Sequence, residues 1–468
     1  MRGVLCGRQA RFALAWVVIG TLGGAVAVAA QANSTREAVD SVVATCGKLL
    51  PPLSGAYFGA FTDFNTPTAF TEDDVRAAKI DAFERRAGRK PVWIYFSQSW
   101  YRGLAFPRER VLTIWRHGQV PYIAFMPASG VFYGPGTPQQ YPEQRFTLQR
   151  IIEGGFDAAL RAWADAARET NIPILLDFGT EVNDSWGTWN ARWNGADQTD
   201  GYGDPAYPDG AERFRDAYRH LVTLFRQQGA TNVTWFFHAD SYQQNEWWNK
   251  LSLYYPGDSY VDWLGISIYG SLFPNVPIWP FAGKLDASSV YPDLTAMSKR
   301  PAAIVEMGVV DDAAHGKAAW IRQAFAALRS GRYPRVRAAA WWNMRSGTSD
   351  TRIDSSPAAL AAFREAVADR FFGTRLRFTG DCRPGTPQDV SASKGSFADS
   401  VRLTWQPVPN ATAYEVFRDG TLIATTDEPR YDDKQAKPGQ RYSYAVRAIN
   451  PLGPSEASTA TDGFSRRS

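Results

Sequence analysis

From residue 55 onward the chain alternates short apolar runs with longer segments whose apolar residues recur at spacings of three and four. The runs at 55–61, 92–97, 122–125, 174–179, 233–237, 261–268, 302–306 and 338–342 have no helical period. They predict strands covered on both faces, as in a parallel sheet. The segments between them, among others 71–85, 152–169, 211–228, 316–330 and 356–371, predict helices. In 211–228 the residues Phe214, Tyr218, Leu221, Leu224 and Phe225 share one face. Thr71-Glu-Asp-Asp predicts a capped helix start with early negative charge. Alternating units of this kind over about 320 residues predict an α/β domain, a (β/α)8 TIM barrel rather than an open doubly wound sheet. No glycine-rich motif that would cradle phosphate follows any strand, which argues against nucleotide chemistry.

After Cys382 the pattern changes. Arg383-Pro-Gly-Thr-Pro387 is a short linker, and residues 388–468 alternate like strands, as in Val401-Arg-Leu-Thr-Trp405, Ala413-Tyr-Glu-Val-Phe417 and Tyr442-Ser-Tyr-Ala-Val446. Asp419-Gly420 between two such runs is a hairpin signal. Trp405, Tyr414-Glu-Val-Phe-Arg-Asp-Gly, Pro438-Gly-Gln-Arg-Tyr442 and Ala448-Ile-Asn450 resemble a fibronectin type III module. The resemblance implies an all-β sandwich, with Tyr442 as the tyrosine that bonds back to the backbone. A spacer or weak adhesion unit is expected, because nothing marks a sugar-binding face.

The first segment carries Arg2, Arg8 and Arg11, then an apolar run at 12–30 and Ala30-Gln-Ala32. This layout predicts a signal peptide over 1–32 and a secreted, periplasmic or extracellular protein; a retained anchor is the alternative. After cleavage no stable membrane insertion is expected. Two cysteines then remain, Cys46 and Cys382, flanking the large domain at 33–382. In an oxidising compartment a bridge would tie the barrel's ends together, the alternative being two unpaired thiols. Net charge is +4, from 51 basic and 47 acidic residues, a balance that predicts no nucleic-acid partner. The 17 Trp, 20 Tyr and 27 Phe favour a sugar partner, since aromatic faces suit sugar rings.

Two runs end in a carboxylate. Ile174 to Gly179 leads into Thr180-Glu181 and a loop holding Trp186, Trp189 and Trp193, while Ala302 to Val305 leads into Glu306-Met-Gly308. In a barrel all strand ends face one rim, so these acids would oppose each other across a cleft. That is the arrangement glycoside hydrolysis needs, one acid to protonate the leaving oxygen and one to attack or to activate water.

Thr180-Glu181-Val182-Asn183-Asp184-Ser185-Trp186 is similar to the acid/base motif His-Glu-Met-Asn-Gly-x-Trp of glycoside hydrolase family 26. Tyr255-Pro-Gly-Asp258-Ser-Tyr-Val-Asp262-Trp-Leu-Gly265-Ile-Ser-Ile-Tyr269 and Ile304-Val-Glu306-Met-Gly308 resemble its sixth and seventh strands. The resemblance spans about residues 50 to 375 and implies a retaining, clan A, endo-β-1,4-mannanase-like hydrolase of a polysaccharide. It implies Glu181 as acid/base, Glu306 as nucleophile and Tyr269 as the hydroxyl orienting that nucleophile. Trp186 would line the cleft, with Trp341 or Trp342 as its floor; Asn183 in the same motif and Trp189 in the tryptophan-rich loop just beyond it are further candidates for binding substrate. The chain departs from the family at Thr180 (normally His), at Ser267 (normally an acid) and at Ala124-Phe-Met-Pro127, which lacks a histidine. These departures bear on which sugar is bound.

His238-Ala-Asp240 follows the fifth run and would reach sugar hydroxyls; Tyr57, Phe61, Gln98 and Trp100 would line distal subsites or pack at the rim. The loop Asp350–Asp354 would close one end of the cleft. His117 and His220 are expected at the surface. With four histidines and no ligand-like spacing, neither metal nor cofactor is expected. A monomer is expected for an enzyme open to polymer. Another β-glycan or exopolysaccharide hydrolase, or a non-hydrolytic glycan-binding or assembly protein, are the alternatives.

Overall fold

The computed structural model describes residues 46–65, 71–131, 139–241, 245–311 and 316–466; the expected signal segment at 1–32 lies outside them. Eight parallel strands close into a barrel. They are β1 (Tyr57–Phe61), β2 (Trp93–Ser99), β3 (Val120–Met126), β4 (Ile174–Phe178), β5 (Val233–Asp240), β6 (Trp263–Tyr269), β7 (Ala302–Gly308) and β8 (Val336–Trp342). β1 pairs with both β2 and β8, so no edge is left open. Each matches an expected run. β1 begins at Tyr57 rather than residue 55 because Gly55 takes φ 64, and a Cβ there would lie 1.9 Å from the Phe371 carbonyl oxygen.

The barrel interior is aromatic where Val, Ile and Leu are the usual filling. Tyr95 stacks on Tyr122 at 4.9 Å, Tyr122 meets Phe236 edge-on at 5.0 Å, and Phe236 stacks on Trp263 at 5.8 Å. Such ring pairs add about 0.5–1.5 kcal/mol each beyond their burial. Around the barrel, helix Asp209–Gln227 buries the expected face, Phe214, Tyr218, Leu221, Leu224 and Phe225. The expected helix at 152–169 is instead two, Leu148–Ile152 and Asp157–Thr170, separated where Gly154 takes φ 77. Among the described residues no helix is long and apolar enough to cross a membrane.

The first helix is a correction. It runs Ala77–Ala87 with Arg76 at its N-cap and no side-chain cap bond. Thr71-Glu-Asp-Asp is not its start but an irregular stretch at the barrel mouth, with Glu72 at φ 54.

At the opposite end, Cys46 and Cys382 form a disulfide. Beside it Leu49–Leu50 pairs antiparallel with Arg377–Phe378. The C-terminal region forms two sheets. One holds Ser391–Ala392, Val401–Thr404 and Arg430–Asp433; the other is built on Ala413–Arg418, Thr421–Thr426 and Tyr442–Asn450. Between them lies a separate core that includes Leu403, Trp405, Val416, Tyr444 and Val446. Asp419 and Gly420 take φ 49 and 77, the left-handed pair that a two-residue hairpin turn requires. The Tyr442 hydroxyl accepts a hydrogen bond from the Lys437 N–H at 3.2 Å, as expected of a residue bonding back to the backbone.

These sheets are not spaced from the barrel. Asn410 Nδ2 donates to the carbonyls of Asn171 and Cys382, each at 3.1 Å, and Trp115 Nε1 donates to the Asn410 carbonyl at 2.8 Å. Asn450 Nδ2 donates to the Cys382 carbonyl at 2.8 Å. Asn171 and Trp115 precede β4 and β3, so the sheets dock on the barrel floor, away from the strand ends where a barrel keeps its chemistry.

Candidate active site

The backbone aims both glutamates by local irregularity. After β4, Gly179 takes φ 66 and Glu181 takes φ 52. A left-handed non-glycine residue costs about 1–3 kcal/mol and persists only where its surroundings hold it. Here Val182 N–H donates to the His238 carbonyl at 2.9 Å, Asp184 N–H to the Glu181 carbonyl at 2.8 Å, and Trp189 Nε1 to the Thr180 carbonyl at 2.8 Å. On β7 the register slips against β6 between Ile266 and Ser267, and against β8 between Ile304 and Met307. A slip of this kind re-aims a side chain, and Glu306 lines the barrel mouth.

The mouth holds a cavity of about 410 Å3 lined by Glu181, Glu306, Tyr269, Trp186, Trp342, Glu72, Tyr95, Tyr101 and Asp240, among others. A carboxylate oxygen of Glu181, one of Glu306 and a ring nitrogen of His238 lie within 4.8 Å of one another. Trp186 Nε1 donates to Glu181 Oε2 at 2.6 Å, and the Tyr269 hydroxyl donates to Glu306 Oε2 at 2.7 Å.

The two carboxyls sit in different fields. Burial, then the negative charges of Asp240 and Glu306, hold Glu181 well above the usual carboxylate range, against a hydrogen bond from Ser267. Burial also raises Glu306, and its net shift is upward, though His238 and hydrogen bonds from Tyr269 and Tyr95 pull it back toward the ionised form. Pushing two acids apart in this way is how one site obtains a proton donor and an anion at the same pH.

Beneath them lies a buried polar chain. His238 Nδ1 stands 2.7 Å from Asp177 Oδ2 and 2.6 Å from Thr180 Oγ1, and Nε2 stands 2.8 Å from Ser267 Oγ. The Tyr122 hydroxyl donates to Asp177 Oδ2 at 3.0 Å. Burial lowers the His238 pKa, but Asp177, by charge and hydrogen bond, then Glu306 and Asp240, outweigh it, and the net shift is upward. The imidazole thus touches both Thr180 and Ser267, two of the positions where the chain departs from the pattern it resembles.

Of the residues expected at the site, Glu181, Glu306, Tyr269, Trp186 and Trp342 meet on the cavity. The others do not, and each for a physical reason. His238 is fully buried because β5 runs on to Asp240, three residues past the expected end, which leaves Asp240 rather than His238 at the surface of the cavity. Trp341 points outward by the strand's alternation, packing on Phe363 at 5.2 Å while its Nε1 donates to the Thr351 carbonyl. Trp189 is buried edge-on against Trp186 at 5.3 Å and supports the Glu181 loop. Asn183 exchanges hydrogen bonds with the Asp240 backbone at 3.0 and 2.8 Å and faces a neighbouring hollow of about 640 Å3.

Among the distal-subsite candidates, Tyr57 donates to the Leu50 carbonyl near the floor, Phe61 stacks under Trp342 at 4.1 Å, and Gln98 and Trp100 pack against Trp163 and Phe125. The expected loop Asp350–Asp354 does not line the cavity; the hairpin that precedes it, Arg345–Ser346 with Ser349–Asp350, borders it through Ser346 and Ser349. His117 and His220 are partly exposed, beside Asp81 and Asp157. Glu72, Tyr95 and Asp177 escaped the sequence reading; a lone charge inside the apolar run at 174–179 was the available signal for Asp177. Oxygens of Glu181, Asp184 and Asp240 also lie within 4.8 Å of one another, a donor set of the kind hard cations accept.

Residues 112–334, a span that contains both glutamates, match the family model of glycosyl hydrolase family 26. The chain is 28% identical over 290 residues to Endoglucanase H of Acetivibrio thermocellus, covering 62% of this chain and 29% of that one. It is 24% identical over 277 residues to the mannan endo-1,4-beta-mannosidase of Bacillus subtilis, covering 55% of this chain and 65% of the relative. The chain therefore spans less than two thirds of the length of either relative. Among solved structures, the catalytic domain of the Bacillus sp. JAMB-750 GH26 endo-beta-1,4-mannanase aligns with a TM-score of 0.49 at 18% identity, over 68% of this chain and 87% of that one.

Proposed function

We propose that this chain is a secreted glycoside hydrolase of family 26 that cleaves a β-linked polysaccharide within the chain and with retention. The observation that carries the reading is the pair Glu181 and Glu306, with oxygens within 4.8 Å, Glu181 held more strongly toward its protonated form by neighbouring acids and Glu306 drawn back by His238, Tyr269 and Tyr95. Retaining enzymes hold their carboxyl groups about 5–5.5 Å apart, and inverting ones leave about 6.5–9.5 Å for a water. The family match over 112–334 supports the same class.

In the first step Glu306 attacks the anomeric carbon while Glu181 gives its proton to the departing glycosidic oxygen. A covalent glycosyl-enzyme results, and the aglycone leaves as an alcohol. In the second step Glu181, now ionised, takes a proton from water; the hydroxyl adds to the anomeric carbon and Glu306 is released as carboxylate. Tyr269 and Tyr95 hold the nucleophile, Trp186 orients the acid/base, and Trp342 gives the sugar ring a platform. β-1,4-Mannan is the favoured substrate from the resemblance of the motifs. A β-glucan or bacterial exopolysaccharide is the second reading, favoured by Thr180 and Ser267 and by the relative named an endoglucanase. We read residues 388–468 as a fibronectin type III-like module docked on a catalytic domain at 33–382, in a monomer.

The test is reducing-sugar release from mannans, xylans, β-glucans and exopolysaccharides by wild type, Glu306→Ala and Glu181→Ala. Release should vanish with Glu306→Ala. Glu181→Ala should lose polymer cleavage yet keep the first step on a dinitrophenyl glycoside, whose leaving group needs no proton. Proton NMR of the first product should show the β-anomer. Polymer binding without release by wild type would point instead to a glycan-binding protein, and an initial α-anomer would refute retention.

A further inference from the structure

The stretch between β1 and helix Ala77–Ala87 carries three successive acids, and they are treated differently. Asp73 pairs with Arg102 at 3.0 Å and Arg110 at 3.1 Å, and Asp74 pairs with Arg76 at 2.8 Å and Lys79 at 3.2 Å. Among the described residues Glu72 has no such cation. Its side chain lines the cavity, where Oε2 accepts a hydrogen bond from the Ser97 hydroxyl. Its backbone is pinned on both sides: the N–H donates to Asn65 Oδ1 at 3.2 Å, and the carbonyl accepts from the Ser97 N–H at 3.0 Å. The residue sits at φ 54, a left-handed conformation that non-glycine residues adopt only when held there.

The loop thus fixes one carboxyl in the mouth and neutralises the next two outside it. The acid shares its wall with Glu306, Tyr95 and Trp342. Burial, opposed by the Ser97 hydrogen bond and reinforced by the charges of Glu306 and Asp73, pushes its pKa up to about 8. The other titratable groups that sense it are Tyr95 and Tyr269. At neutral pH Glu72 is therefore an uncharged acid, able to donate through one oxygen and accept through the other, which matches a sugar hydroxyl. An anion there would repel the Glu306 carboxylate.

We propose that Glu72 is a specificity-determining residue of this site, whose carboxyl group hydrogen-bonds a ring hydroxyl of the hexopyranose that Glu306 attacks. This rests on the hydrolase reading above. The leaving sugar, by contrast, lies with Glu181, which must reach the glycosidic oxygen.

The experiment compares wild type, Glu72→Ala, Glu72→Gln and Ser97→Ala on 2,4-dinitrophenyl β-mannobioside and β-cellobioside, and on monodeoxy versions of the better one, between pH 5 and 9. Glu72→Ala should lower kcat/KM at least tenfold on the parent glycoside, as expected when a site loses its partner for a substrate hydroxyl. One deoxy substrate should erase the difference between wild type and Glu72→Ala, which a merely structural role would not do. Glu72→Gln keeps a donor and an acceptor but does not titrate, so it should fall less than Glu72→Ala and lose the decline above about pH 8. An unchanged kcat/KM in Glu72→Ala would overturn the proposal. So would an equal loss in Glu72→Ala and Ser97→Ala on every deoxy substrate, because that pattern is loop support. If wild type cleaves nothing, the hydrolase reading fails by itself; calorimetry of mannohexaose and cellohexaose binding to wild type and Glu72→Ala then decides the role, and equal affinities refute it.

Discussion

Replacing His238 by Gln removes an imidazole that, when protonated, places a positive charge under the carboxylate pair, and the consequence can be worked from distance. A ring nitrogen of His238 lies within 4.8 Å of an oxygen of Glu306. At that separation, with an effective dielectric of about 20, two unit charges interact by about 3.5 kcal/mol. That corresponds to about 2.5 pH units. The sign follows from the charges: the imidazolium favours ionised Glu306, so its loss raises the Glu306 pKa. The acidic limb of kcat/KM, which reports ionisation of the nucleophile in the free enzyme, should therefore move about two units toward higher pH. The cation is present below the raised His238 pKa, so the effect falls on this limb. The substitution also strands Asp177, whose Oδ1 already has no partner, and breaking such a buried pair costs roughly 3–5 kcal/mol of stability. Asp177→Asn with His238→Gln removes both charges and separates folding from electrostatics. The assay is the pH dependence of kcat/KM for both variants, with thermal melts by circular dichroism. An acidic limb that stays in place in a folded double variant would refute the role given to His238.

Two further outcomes follow from contacts elsewhere. Trp186→Phe keeps the ring but removes the donor 2.6 Å from Glu181 Oε2; a hydrogen bond to a charged group contributes about 1.5–3 kcal/mol. On polymer, whose leaving group needs the Glu181 proton, the basic limb of kcat/KM should then move up by one to two units, since the ionised form loses support, and an unmoved limb would count against Glu181 as the proton donor. Cys382→Ser opens a loop of 336 residues and removes roughly 2–5 kcal/mol. Its melting temperature should fall by several degrees with no further loss under reductant, while wild type under reductant should fall to the same value.

Much of the architecture was legible because it rests on local burial. All eight strands coincide with apolar runs, and Glu181 and Glu306, which share one cavity, stand out in the sequence because each ends such a run. What stayed hidden depends on tertiary context. Trp341 and Trp342 are adjacent and chemically alike, and only the facing of β8 decides which one meets the cavity. His238 passed for a rim residue because β5 outlasts its apolar run, ending at Asp240. Glu72 was concealed by a competing signal: Thr71-Glu-Asp-Asp has the local chemistry of a helix start. The arginines that claim Asp73 come from 102 and 110, and no reading of residues near 72 reveals them.

The fastening at the barrel floor has a consequence for how the chain fails. A sheet pair with so small a core, hung on a free tether, would fray first and be cut first by protease. Here its inner residues Asn410 and Asn450 are held at the carbonyl of Cys382, whose sulfur is bonded across to Cys46 at the other end of the barrel domain. Heat must therefore break these hydrogen bonds before the sheets come away, and even then the disulfide keeps the root of their tether on the barrel.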